Sequence, residues 1–137
     1  MQTKLLVLIS LACVLASTPV WSHHAFSAEF DGNKQVNLRG TIAKMEWINP
    51  HAWIHLDVKG PGGAIVRWEI ELGPPNALLK RGWSKKDVPA GIEIVVVGYQ
   101  AKDGAMRANG RDITFPDGKK LFAGSSGTGF PDEKPTK

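Results

Sequence analysis

Cysteine is nearly absent from this sequence. Of 137 residues only Cys13 is one, and it lies in an apolar opening stretch expected to be removed. The mature chain then has no thiol, no disulfide and no thiolate metal site, so its stability must come from packing. Read instead as a lipidation site, Cys13 would follow a very short apolar run, with Ser10 where such sites usually carry Leu. Long hydrophobic runs are lacking too. Leu5 to Ala16 is almost free of polar groups, yet it falls short of the ~20 residues needed to span a bilayer, and no second such stretch follows. Clusters of one charge are missing: 17 basic against 13 acidic residues give +4, spread along the chain. Without a Lys/Arg cluster a nucleic-acid partner is not expected, and the charge reads as a solvated surface. No Ser/His/Asp order, no phosphate-binding glycine loop and no paired-carboxylate motif stands out, so an enzyme is not the expected class.

What is present begins with a leader. Lys4 supplies a positive start, Leu5 to Ala16 the apolar run, and Val20 and Ser22 the small residues before a cut, the order a signal peptidase requires. Cleavage after Thr18 would put Pro19 at the scissile bond, so the expected cut follows Ser22. Residues 1–22 are then a signal peptide, the expected compartment is the periplasm, and His23 opens a mature chain of about 115 residues with a charge of about +3. That length suits one domain with a modest core.

Residues 23–34 show no clear periodicity. Val36 to Trp47 reads as a long strand whose apolar parity changes partway: Val36, Leu38 and Ile42, then Ala43, Met45 and Trp47. Such a slip marks a bulge or bend, here expected beside Gly40. Asn49-Pro50 ends the strand. His51 to Val58 alternates, with Ala52, Ile54, Leu56 and Val58 on one face and His51, Trp53, His55 and Asp57 on the other. Gly60 to Gly63 forms a turn. In Ile65 to Leu72 the inward set is Val66, Trp68, Ile70 and Leu72, and the outward set Arg67, Glu69 and Glu71. Pro74-Pro75 opens a short helix that Gly82 closes. Ile92 to Tyr99, whose three successive valines suggest burial on both faces, and Met106 to Phe115 complete the strands. A short pairing segment, Lys119 to Phe122, follows the Pro116-Asp117-Gly118 turn. The Gly/Ser/Pro/Lys-rich stretch 124–137 reads as a disordered tail. Three strands, one short helix and two strands give an all-β class: an OB-fold-like five-stranded barrel over 23–123 in the order β-β-β-α-β-β, with an antiparallel sandwich as the alternative.

All four histidines fall in two clusters. His23 and His24 start the mature chain, and His51 and His55 share a strand face about 13 Å apart along an ideal strand. One of the strand pair, joined by the N-terminal pair, makes a candidate copper or zinc site. The α-amino group and ring of a terminal His23 bind one copper, and a further imidazole completes a T-shaped site; alternatively His24 binds Cu(II) together with the amine and the intervening amide. Against this stands a solvated pair of strand histidines and a flexible start. The row His51, Trp53, His55 beside Arg67, Glu69 and Glu71 is the second candidate, a ligand or partner surface on the face OB-folds use. Phe26 and Phe30 also need cover, and we expect them to pack over Trp53, since buried apolar area stabilises by ~25 cal/mol per Å². Glu69 and Glu71 alone would be ordinary solvated residues.

His23-His24-Ala25-Phe26 with Ala28-Glu29-Phe30-Asp31, Glu46-Trp47-Ile48-Asn49-Pro50-His51-Ala52-Trp53, the run Gly73 to Trp83 and the run Gly98 to Gly104 together resemble a family of small exported bacterial proteins of unknown function. The resemblance implies export and a single small domain, and it brings no catalytic residue. The expected protein is thus a periplasmic binding module holding copper or zinc through His23, His24, His51 and His55. The alternative is a metal-free module that meets an envelope protein or small ligand through Trp53, with no membrane span in the mature form.

Overall fold

A computed structural model describes residues 26–125; the signal segment, the cut after Ser22, His23, His24 and residues 126–137 lie outside them. Alternation of apolar and polar residues produces the strands. They are β1 (Phe30–Glu46), β2 (Trp53–Lys59), β3 (Ile65–Glu71), β4 (Glu93–Ala101), β5 (Arg107–Thr114) and β6 (Lys120–Phe122); a short helix, α1 (Pro75–Lys80), lies between β3 and β4, and residues 26–29, just before β1, are helical too. The sheet order is β3-β2-β1-β4-β5-β6, and a parallel pairing of β3 with β5 closes the first five strands into a ring. That connectivity, with the helix between β3 and β4, is OB-like and barrel-like. β6 extends it as a hairpin partner of β5.

The ring closes because β1 is long enough to serve two neighbours. Its first part pairs with β4 from Phe30 to Thr41, and its second with β2 from Gly40 to Glu46. Gly40 belongs to both ladders, and a Cβ there would stand 2.5 Å from the Asp57 carbonyl oxygen. The glycine is thus required for close approach, while the register shift falls three residues later, between Ile42 and Lys44. β1 also begins earlier than its apolar pattern does. Phe30 pairs with Ala101, and the exposed stretch Gly32–Gln35 has no inner face to advertise.

Inward residues follow the expected parities. Ala52, Ile54 and Leu56 of the β2 segment and Trp68, Ile70 and Leu72 of the β3 segment are buried, with Leu38, Ile42, Ile94, Val96 and Ile113 from the other strands. β4 departs from expectation: Val96 is buried, but Val95 and Val97 are half-buried, because β4 lies in a closed sheet with an outer face. Leu78, Trp83 and Val88 come from α1 and the loop after it and join the same core.

α1 has a Schellman ending. Gly82, at φ +93°, lets its own N–H reach the Leu79 carbonyl and the Trp83 N–H reach that of Leu78. The segment from Phe122 to Gly124 then lies across this corner. The buried Trp83 donates its indole N–H to the Phe122 carbonyl at 2.9 Å, and Arg81 donates to that of Gly124 at 2.6 Å. Gly73 N–H reaches the Ala123 carbonyl at 2.8 Å. The Arg81 guanidinium sits 4.9 Å from the centre of the Phe122 ring.

Candidate functional site

Register carries residues distant in sequence to one outer face. Across β2–β3, Trp53 pairs with Glu71, His55 with Glu69 and Asp57 with Arg67. Across β1–β2, Glu46 pairs with Trp53. The β3–β5 closure sets Arg107 against Glu69 and Asn109 against Glu71. The result is a groove of about 400 Å³ lined by Glu29, Glu46, Ile48, Trp53, His55, Glu69, Glu71 and Arg107. Ile48 comes from the loop joining β1 to β2, and Arg107 directly follows the loop joining β4 to β5. Those two loops and the β2–β3 face are the binding elements of OB-folds.

The groove takes in Trp53, His55, Glu69 and Glu71, but neither Arg67 nor His51 lines it. Arg67 forks onto Asp57, its Nε donating to Oδ1 at 2.5 Å and Nη2 to Oδ2 at 3.0 Å. This pairing holds the Asp57 carboxyl below the usual carboxylate range. Trp53 is half-buried, and the expected cover is not what the aromatic contacts provide. Phe26 stacks on Phe30 at 5.8 Å and meets Tyr99 edge-on at 5.6 Å. The lead-in therefore contributes a rim residue, Glu29, which accepts a 2.5 Å bond from Arg107 Nη1.

Glu71 departs most from its expected place. Its parity is outward, yet it is 8 % exposed, because β5 returns beside β3 and covers it with the fully buried Asn109. Asn109 Nδ2 donates to Glu71 Oε1 at 3.2 Å, and His51 Nδ1 stands 3.5 Å from the same oxygen. Burial pushes the Glu71 carboxyl above its ordinary range and the Glu29 charge adds to this, while His51, Asn109 and Arg107 oppose it. Glu46 moves the other way: the hydrogen bond from the Lys44 ammonium, then that from His55, holds it low.

The two strand histidines face different partners. His51 Nδ1 lies 3.0 Å from the Leu72 carbonyl oxygen; a carbonyl only accepts, so Nδ1 carries a proton, and in the neutral ring Nε2 holds the lone pair. His55 Nε2 lies 3.2 Å from Glu46 Oε2. Among the described residues no three His, Cys, Asp or Glu side chains converge as a metal site. Arg107 keeps its Nε–H buried without a hydrogen bond; the Glu69 carboxylate is 3.6 Å away.

Glu29, Glu46, Ile48 and Arg107 were not among the residues expected from sequence. Glu46 was within reach, being the residue that faces Trp53 once the β1–β2 turn is counted. Arg107 was not, since only the parallel β3–β5 closure brings it to Glu69.

Fold and groove together describe a small, barrel-like β domain with an acidic, aromatic-walled cleft on its outer face. The model of the family of unknown function DUF6152 matches residues 10–110, and the chain belongs to that family. Neither a curated protein nor a solved structure matches it. No helix among the described residues is long and apolar enough to cross a membrane.

Proposed function

We propose that this protein is an exported binding module that works in the periplasm and holds a small ligand in the groove beside Trp53. The observation that carries the reading is the coincidence of a half-buried Trp, an exposed Ile48 and several polar side chains in one cleft on the β2–β3 face. An aromatic wall with a few fixed polar groups is how small-ligand sites gain both affinity and orientation. The leader, Lys4 through Ser22, supports the compartment. The test is native mass spectrometry of protein released by osmotic shock, compared with Trp53→Ala. The expected result is a chain starting at His23 with a small molecule attached, and retention lowered at least tenfold in the variant, a typical loss for a central aromatic contact. A ligand that Trp53→Ala retains in full would overturn the groove as its site.

A second reading rests on His51. Its Nδ1–H is held by the Leu72 carbonyl, which leaves Nε2 of the neutral ring as the ligand atom, the arrangement that metal-binding imidazoles use. In this reading His23 and His24, with the new terminal amine, bind copper or zinc together with His51. Titration of the mature protein with Cu(II) and Zn(II) is then expected to show one tight equivalent that His51→Ala removes. Binding of equal strength in the variant would sink it.

A further inference from the structure

We propose that the groove takes an organic cation, a primary ammonium or guanidinium group carried on an aliphatic stem. The inference rests on the groove being the ligand site and concerns only the ligand's chemistry. Sign comes first. Four carboxylates line the cleft against one guanidinium, in a protein whose sequence as a whole carries +4. Arg107 cannot balance them, because it is turned onto Glu29 and stands beside Glu69. Lys44 offsets only Glu46.

Glu71 supplies the independent observation. Its side chain is 11 % exposed and lines the groove. Its Oε1 takes the Asn109 amide and stands 3.5 Å from His51 Nδ1, which leaves Oε2 for the groove. A largely buried carboxylate whose second oxygen stays open to the groove gains from a cation that meets it there. An ammonium in the cleft would do so. Ile48 and Trp53 provide what a bare ion would not need: an apolar wall for a methylene stem and an indole suited to cation–π contact. The carboxylates come from the lead-in, β1 and β3 and do not converge on one point. That spacing fits an extended cation better than a chelated metal ion.

The affinity should depend on pH. The charged and titratable groups around Glu71 are His51, Glu29, Arg107 and Glu69. Lowering the pH through the raised Glu71 range removes its negative charge and so weakens cation binding.

The experiment is an NMR titration of the mature chain, following the Trp53 indole and the backbone amides of the groove. The probe is butane-1,4-diamine, with butanol and butyrate as neutral and anionic probes of the same length. We expect saturable shifts with the diamine alone, weakened about tenfold in Glu69→Gln and in Glu71→Gln, and weakened again by salt and by acid. Glu69 is exposed, so its variant tests the charge even if Glu71→Gln perturbs the fold. Shifts with butanol or butyrate instead would leave the groove a ligand site and overturn the cation. Diamine shifts that survive both variants, or no groove shifts with any probe, would also overturn the cation. The Trp53→Ala retention measurement decides the groove reading separately.

Discussion

Ending the chain at Gly118 is expected to abolish cooperative unfolding, whereas a chain ending at Ser125 retains every contact that follows. The shorter chain loses β6 and its pairing of Asp112 with Phe122, Ile113 with Leu121 and Thr114 with Lys120. Beyond that ladder and the turn bond from Lys119 N–H to Asp117 it loses five hydrogen bonds: Phe115 N–H to Lys119, Ala123 N–H to Arg111, Gly73 N–H to Ala123, Trp83 Nε1–H to Phe122 and Arg81 to Gly124. At ~1 kcal/mol each these already reach ~5 kcal/mol, and a buried donor left without a partner costs ~1–3 kcal/mol more. Trp83, 3 % exposed, is such a donor. A domain of this size holds only ~5–15 kcal/mol in all. Thermal unfolding followed by circular dichroism is the measurement. A sharp transition within a few degrees of the full chain would show that the barrel does not depend on its last strand.

That corner explains much of the run from Gly73 to Trp83 without any chemistry. Gly73 has no room for a Cβ, which would stand 2.9 Å from the Gly124 carbonyl oxygen and 3.3 Å from Arg81 Nη1. Gly82 closes the helix, and Arg81 and Trp83 hold Gly124 and Phe122. The run from Glu46 to Trp53 is different: Glu46, Ile48 and Trp53 enter the groove, and His51 stands behind Glu71. One stretch builds the barrel and the other builds the cleft.

Which parts the sequence disclosed follows from what periodicity measures. Ala52, Ile54 and Leu56, or Trp68, Ile70 and Leu72, alternate because one side of each strand meets the core. The same rule is silent where a strand has little core side, so β1 looked like a lead-in before Val36. It was misled at Glu71, because parity tells which way a side chain points and not what returns to cover it. The β3–β5 pairing that covers Glu71 joins residues 38 apart, and no local pattern encodes it. The parity change after Ile42 marks the slip, which lies at Ala43, whereas Gly40 marks a close approach of β1 to β2. His51 and His55 share a parity, as expected, but His51 precedes β2 and turns to Leu72 and Glu71 while His55 turns to Glu46.

Gly98→Ala is expected to be the most damaging single methyl in the protein. Gly98 pairs with Val36 on β1 and with Gly110 on β5, where the β4–β5 register shifts. A Cβ there would lie 2.2 Å from the Asn109 carbonyl oxygen and 3.0 Å from its carbon. Both are backbone atoms in a paired strand, so no rotamer change relieves the overlap; β5 must move away from β4. Overpacking commonly costs ~1–3 kcal/mol and sometimes more, and contact this short against backbone belongs at the upper end. About 3 kcal/mol would lower the melting temperature by ~15 °C in a domain of roughly 100 residues. The displacement also reaches the groove. Asn109 is the residue pushed, its side chain holds Glu71, and ligand retention should fall with stability. Gly32→Ala is the matched control: its Cβ would meet only Phe26, at 3.9 Å, and its effect should stay within ~0.5 kcal/mol. If both variants melt together with the parent, β4 and β5 have slack at this crossing, and Asn109 is not the rigid floor on which Glu71 rests.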